Sequence, residues 1–192
     1  MKIALFGGTF NPIHHAHLFI ASEMADIFSL DKVIFIPANI PPHKNYTPQV
    51  SNSDRLKMIQ LALQSNPEFS VSDIELQRGG VSYTIDTVKK LYQEYELKGK
   101  LFVIIGGDLI PELHTWYQFE ELCTLVDFLV YNRENENGKD ISVYRKNIFP
   151  VEGMQLGISS TIIRDRLKNG KSVRYLIPDA VREYIRDNKL YL

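Results

Sequence analysis

The sequence predicts an α/β fold: a doubly wound, Rossmann-like open parallel sheet with helices on both faces. Three observations predict it. Short apolar runs of the kind that strands buried on both faces use recur at residues 3–6, 33–36, 101–105 and 126–131. Stretches of helical periodicity separate them. Glycine pairs stand directly after the first and the third of these runs, at the sheet edge where doubly wound folds hold their ligands.

The first strand leads into Gly7 and Gly8, which let the backbone turn and approach a ligand with no Cβ in the way. Thr9 and Phe10 follow, then a turn at Asn11-Pro12. From His14 the pattern is helical, with Leu18, Ala21, Ala25 and Phe28 on one face and Ser22, Glu23, Asp26 and Ser29 on the other. A helix start just beyond a strand presents N–H groups and a positive dipole end, which favours phosphate. His14 and His17 are three residues apart, so their rings share that face and can donate to phosphate oxygens. A metal held by the two histidines is the alternative, but zinc needs a third ligand and no nearby cysteine or carboxylate has suitable spacing.

The second strand ends at Pro37, and the segment 37–48 carries four prolines, so it is expected to be an ordered loop at the ligand edge, with Lys44 as its positive charge. A helix is expected from about Ser53, with Leu56, Ile59 and Leu63 inward and Arg55, Lys57, Gln60 and Gln64 outward. A third strand at 69–71 continues towards Ile74. Gly79-Gly80 breaks the structure, Ser82 or Thr84 can cap, and Ile85, Val88, Leu91 and Tyr95 mark the next helix, beside Tyr83.

The fourth strand is followed at once by Gly106-Gly107-Asp108. With strand order 3-2-1-4-5, both glycine pairs border one crevice. Asp108 is then placed to accept from ribose hydroxyls or to sit near a metal-bound phosphate, or it merely caps a turn. Trp116, beside Tyr117, can stack on a flat ring or fill the core of a helix. A polar surface loop over 132–140, with Arg133 as its one weak candidate for chemistry, follows the fifth strand, and 149–151 suits a further short strand.

Ser159 and Ser160, with Thr161 next to them, are capping residues, and Arg164 lies one turn beyond Ser160 on its side of the helix. That makes a second anion site. Asn169-Gly-Lys-Ser172 is not a phosphate-binding P-loop, because the glycine that motif needs five positions before Gly170 is Asp165, within a helix. The chain closes with Pro178 at a first helical position and a helix through Val181, Tyr184 and Ile185.

Composition narrows the partners. The 192 residues suit one domain, 1–192, with ordinary hydrophobic (44%) and charged (23%) fractions. A net charge of -1, from 22 basic and 23 acidic residues, suggests neither nucleic acid nor a membrane as partner. The single cysteine, Cys123, excludes an internal disulfide and reads as a small buried residue. No signal peptide or membrane-spanning run is evident, so the expected compartment is cytoplasmic.

The run from Gly7 to His17 resembles the H-x-G-H signature of the nucleotidyltransferase superfamily, with Ala16 where the family has glycine; residues 158–164 match its I-S-S-T-x-x-R signature without departure. Gly-Gly-Thr-Phe10, Pro-Pro-His-Lys44, Ser-Tyr-Thr-Ile-Asp-Thr87, Gly-Gly-Asp108 with Trp116, and Tyr-Leu-Ile-Pro178 together look like the bacterial nicotinate-mononucleotide adenylyltransferases, over nearly the whole chain. The resemblance implies a cytoplasmic enzyme of NAD biosynthesis. It would join ATP and nicotinate mononucleotide into nicotinate adenine dinucleotide and release pyrophosphate, with Mg²⁺ carried by the ATP phosphates and no metal site of its own. By that resemblance Gly7, Gly8, Thr9, Phe10, His14, His17, Ser159, Ser160, Thr161 and Arg164 hold ATP. Lys44, Tyr83, Thr84, Asp108, Trp116 and Tyr117 hold the acceptor, and His14, His17, Lys44 and Arg164 act on the phosphates. A homo-oligomer is compatible with this. Two alternatives stay open: an adenylyltransferase with a phosphopantetheine or nicotinamide-mononucleotide acceptor, and a nucleotide-binding regulator without catalysis.

Overall fold

The computed structural model describes residues 1–42, 49–133, 147–154 and 156–192. Six strands form one parallel sheet in the order β3-β2-β1-β4-β5-β6: β1 (Ile3–Gly8), β2 (Lys32–Pro37), β3 (Phe69–Val71), β4 (Leu101–Gly106), β5 (Val126–Arg133) and β6 (Ile148–Gly153). The first five follow the expected order, and β6 adds the outer strand expected near 149–151. The direction of winding reverses between β1 and β4, which opens a crevice at their C-terminal ends.

Side-chain alternation along each strand divides the core in two. Ala4, Phe6, Val33, Phe35 and Ile104 face one layer, with Met24 of α1 (His15–Phe28), Met58 and Ile59 of α2 (Asn52–Leu63), Ile163 of α6 (Ser160–Lys168) and Val181 and Ile185 of α7 (Asp179–Asp187). Ile3, Leu5, Ile34, Ile36, Val103 and Ile105 face the other, with Val88 and Leu91 of α4 (Thr84–Glu94) and Leu122 of α5 (Phe119–Leu125). Strands buried on both faces explain the near-continuous apolar runs. Cys123 is buried on α5. No helix among the described residues is long and apolar enough to cross a membrane.

Several local expectations need correction. Arg55, expected on the solvent face of α2, is 0% exposed. The carbonyls of Thr9 and Ala38 accept from it, a demand that apolar periodicity does not register. Strand β3 stops at Val71, and a short helix, α3 (Ile74–Arg78), replaces its expected continuation: alternation fails at Asp73, and Ile74 packs instead into the second core. Neither Ser82 nor Thr84 caps α4. Tyr83 holds the N-cap position without a side-chain bond, and the Ser82 hydroxyl accepts from the Asn39 N–H at 2.8 Å. Pro178 is the N-cap of α7 rather than its first residue. Trp116 follows a 3-10 helix, Gly107–Thr115, instead of lying within one.

Helix α7 is tied to α2 by one polar contact. The Tyr184 hydroxyl donates to Asp54 Oδ1 at 2.9 Å, and the Ser51 hydroxyl donates to Oδ2 at 2.6 Å. The Ser51 bond, opposed by some desolvation and aided by Tyr184, lowers the Asp54 carboxyl below its ordinary value. Burial first, and the Asp54 acceptor second, raise the Tyr184 phenol. The carboxylate's contribution is therefore complete above the ordinary aspartate range and is lost as pH falls through its lowered value. That of the phenol is complete below its ordinary range and is lost as pH rises through its raised value. Asp54→Asn should lower the unfolding midpoint at pH 7 by about 2–4 °C, the size of a 1 kcal/mol loss in a chain this long. Calorimetry below pH 4 should find the gap between variant and wild type closing.

Candidate active site

Gly7 and Gly8 extend β1 to its end rather than turning the chain. A Cβ on Gly8 would lie 2.9 Å from the Phe10 ring, so this glycine makes room for a core side chain. One on Gly7 would meet only Leu5 at 3.7 Å, an ordinary contact. The reversal comes at Phe10, whose φ of 46° folds its ring back into the core at 2% exposure. There it lies edge-on to Phe6 at 5.7 Å and to His17 at 4.9 Å. Phe10 is thus the support beneath a histidine, an arrangement its place in the motif did not reveal.

The two histidines share a face as their spacing predicts. Their rings stack with centroids 3.6 Å apart and 19° between planes. His17 Nδ1 accepts from the His14 N–H at 3.2 Å, so the neutral ring carries its proton on Nε2. The amides of the helix start offer less than expected. His15 N–H donates to Leu176 O and His17 N–H to His14 O, both at 3.0 Å. Ring N–H groups and the helix field are the principal resources of this end.

Across the crevice stands the start of α6. Ser159 caps it, its hydroxyl oxygen accepting from the Ile162 N–H at 3.2 Å, which leaves the hydroxyl proton free to donate. The Ser160 hydroxyl donates to Pro12 O at 2.9 Å. Arg164 donates to Asn11 O at 2.8 Å and to the Thr161 hydroxyl at 3.1 Å. The bonds to Pro12 O and Asn11 O span about 150 residues of sequence and fasten the α6 motif to the loop between β1 and α1. One cavity of about 510 Å³ is lined by His14, His17, Ser159, Ser160, Thr161 and Arg164, together with Gly7, Gly8, Thr9 and Phe10. Every residue expected at ATP is gathered there. Ala16 lines it too, at 6% exposure.

A second cavity, of about 200 Å³, opens on the other side of β1. Tyr83, Thr84, Trp116 and Tyr117 line it, with Gly106, Ser82 and Glu75. The Tyr83 and Tyr117 rings lie 4.6 Å apart, and half-buried Trp116 sets its edge against Phe128 at 6.2 Å. The two cavities share Phe6, Gly7, Gly8 and Thr9. Asp108 is exposed at the start of the 3-10 helix and lines neither; its carboxylate folds back against Gly106, where a Cβ would collide with it. Lys44 lies outside the described residues, as do the side chain of Arg133 and the loop beyond it.

Glu75, which the sequence did not single out, is a buried carboxylate on the wall of the second cavity. The Thr87 hydroxyl donates to it at 2.6 Å. Burial pushes its carboxyl up, with hydrogen bonds from Thr87 and Ser82 and the charge of Arg78 working against that shift. Thr87→Val removes a donor from a buried carboxylate and should cost about 1–3 kcal/mol in a denaturant titration, with a larger loss at pH 8 than at pH 5.

A doubly wound sheet with a donor-rich cavity at its switch point is the architecture of an enzyme that handles nucleotides. Comparison with known proteins narrows the class. A family model described as cytidylyltransferase-like matches residues 5–166. The nicotinate-nucleotide adenylyltransferase of Bacillus subtilis (strain 168) is 41% identical over 190 residues, which cover 99% of this chain and 98% of that protein. Among solved structures, Plasmodium falciparum nicotinic acid mononucleotide adenylyltransferase complexed with NaAD matches with a TM-score of 0.82 at 19% identity, over 99% of this chain and 97% of that one. The same enzyme complexed with APC gives 0.78 at 19% identity, over 99% and 96%. At that identity the two structures speak for the fold. The chain belongs to the cytidylyltransferase-like family, and within it to the nicotinate-nucleotide adenylyltransferases.

Proposed function

We propose that the protein transfers the adenylyl group of ATP to nicotinate mononucleotide, giving nicotinate adenine dinucleotide and pyrophosphate for NAD biosynthesis. One observation carries this reading: a cavity rich in phosphate donors and an aromatic cavity meet over the same strip, Phe6 to Thr9. ATP bound in the first directs its α-phosphate to that strip. Nicotinate mononucleotide in the second brings its own phosphate to the same place, its pyridine ring among Tyr83, Trp116 and Tyr117.

A phosphate oxygen of the acceptor attacks the α-phosphorus in line, the bond to the β-phosphate bridging oxygen breaks, and pyrophosphate leaves. The protein positions the two and neutralises charge as it moves to the leaving group. His17 donates from Nε2, His14 stacks beside it, Arg164 and Lys44 are assigned the positive charge, and Ser159 adds a neutral hydroxyl donor. The donors are imidazole, guanidinium and hydroxyl, which suit phosphate oxygens, and among the described residues no three His, Cys, Asp or Glu side chains gather. A divalent ion, Mg²⁺ by expectation, would travel on the triphosphate and supply further neutralisation of the phosphate oxygens. Asp108 lines neither cavity; beside Gly106, which lines the second, it is assigned to the ribose or to this metal-phosphate region. The acceptor's carboxylate is assigned to backbone N–H groups near Thr84, at the positive start of α4, and near Tyr117. The proposed setting is the cytoplasm.

With ATP whose α-phosphate carries sulfur at one chiral position, the dinucleotide should form with inverted configuration at phosphorus and one pyrophosphate per product. Retention would mean an adenylated enzyme intermediate and would overturn direct transfer.

A further inference from the structure

The mechanism leaves one wholly buried charge unused. Arg55 of α2 donates to Thr9 O at 2.7 Å from one guanidinium nitrogen, and to Ala38 O at 2.7 Å and Asn52 Oδ1 at 2.6 Å from another. Thr9 belongs to the strip that both cavities share, and Ala38 lines the acceptor cavity. The chain of bonds continues. Asn52 Nδ2 donates to Asn39 Oδ1 at 2.7 Å. Asn39 in turn donates from its backbone to Ser82 Oγ at 2.8 Å and from its side chain to Gly80 O at 2.9 Å. Ser82 N–H closes the link on Ile40 O at 2.9 Å. Tyr83 and Thr84 follow directly.

We propose that Arg55 is a positioning residue that holds the donor and acceptor cavities in register through this relay. The inference rests on the two-substrate reading above. In-line transfer tolerates little error, since a misplacement of about 1 Å can cost roughly 10²-fold in rate. The loops that must stay aligned come from the ends of β1 and β2 and the turn before α4. Backbone bonds from Ala38 N–H to Gly8 O and from Ser82 N–H to Ile40 O, both 2.9 Å, also link these loops; the relay adds a side-chain path through all three, and a planar guanidinium presents two separate nitrogens to the two carbonyls where lysine has one.

Two variants test it. Arg55→Lys keeps the charge and loses the span. Asn52→Asp keeps an acceptor for Arg55 but turns the donor facing Asn39 into a second acceptor. Asn39 cannot compensate by rotating its amide, because its oxygen would then face Gly80 O. With MgATP and nicotinate mononucleotide saturating, kcat should fall about 30- to 100-fold in Arg55→Lys and about 10-fold in Asn52→Asp. Calorimetric Kd values for MgATP and for nicotinate mononucleotide, each measured alone, should move less than about threefold. The Asn52→Asp protein, whose carboxylate still meets the Arg55 guanidinium at the first turn of α2, should stay folded, so it decides the question if Arg55→Lys does not fold. A folded variant with wild-type kcat, or a loss confined to one Kd, overturns the relay. A wild type that forms no product overturns the relay and the assignment beneath it together, whereas an active wild type with equally fast variants overturns the relay alone.

Discussion

His17→Ala is expected to lower pyrophosphate release by two to three orders of magnitude while the protein stays folded. The size follows from the role proposed for the ring: removing one preorganised donor to developing charge costs about 10²–10³ in rate. The ring is held by Phe10 at its edge, His14 on its face and the His14 N–H on Nδ1, which together fix the direction of Nε2. Folding should survive. His17 is half-buried, and alanine is the stronger helix former in the first turn of α1. Far-ultraviolet circular dichroism checks the fold and a pyrophosphate-coupled assay checks the rate; a folded variant at wild-type turnover would contradict the role given to this histidine.

Arg164→Ala is expected to cost about 10³-fold in kcat/KM for ATP. Two losses combine. The charge proposed to face the triphosphate disappears, and so does the bond to Asn11 O that helps fix the loop before His14. Arg164→Lys separates them: it restores the charge without the fork that reaches both Asn11 and Thr161, so it should recover only part of the rate and stay at least about tenfold below wild type. Full recovery by lysine would assign the arginine to charge alone.

What the chain disclosed in advance depended on how local each signal was. The strands are apolar because both faces are buried, and the His14–His17 and Ser160–Arg164 pairs are set by helical spacing, so both are written in neighbouring letters. That the two motifs share one cavity was implied by the family resemblance, whereas the doubly wound order spoke only for the two glycine pairs. The features that escaped are long-range. Arg55 carries a polar letter at a helix position next to an apolar one, and only the distant carbonyls of Thr9 and Ala38 make it a core residue. Glu75 looks like any surface glutamate until the helix containing Thr87 packs beside it. Gly8 lines both cavities and also makes room for the Phe10 ring, a second demand that is not legible because the backbone reversal two residues on is not foreseeable from its phenylalanine.

The most direct measurement is pyrophosphate release by the purified protein with ATP and Mg²⁺ across a panel of acceptors: nicotinate mononucleotide, nicotinamide mononucleotide and phosphopantetheine. The account predicts the highest kcat/KM for nicotinate mononucleotide, with the amide at least about tenfold behind, the minimum expected from one lost charge-assisted contact. Equal turnover of acid and amide, or release with phosphopantetheine alone, would contradict it.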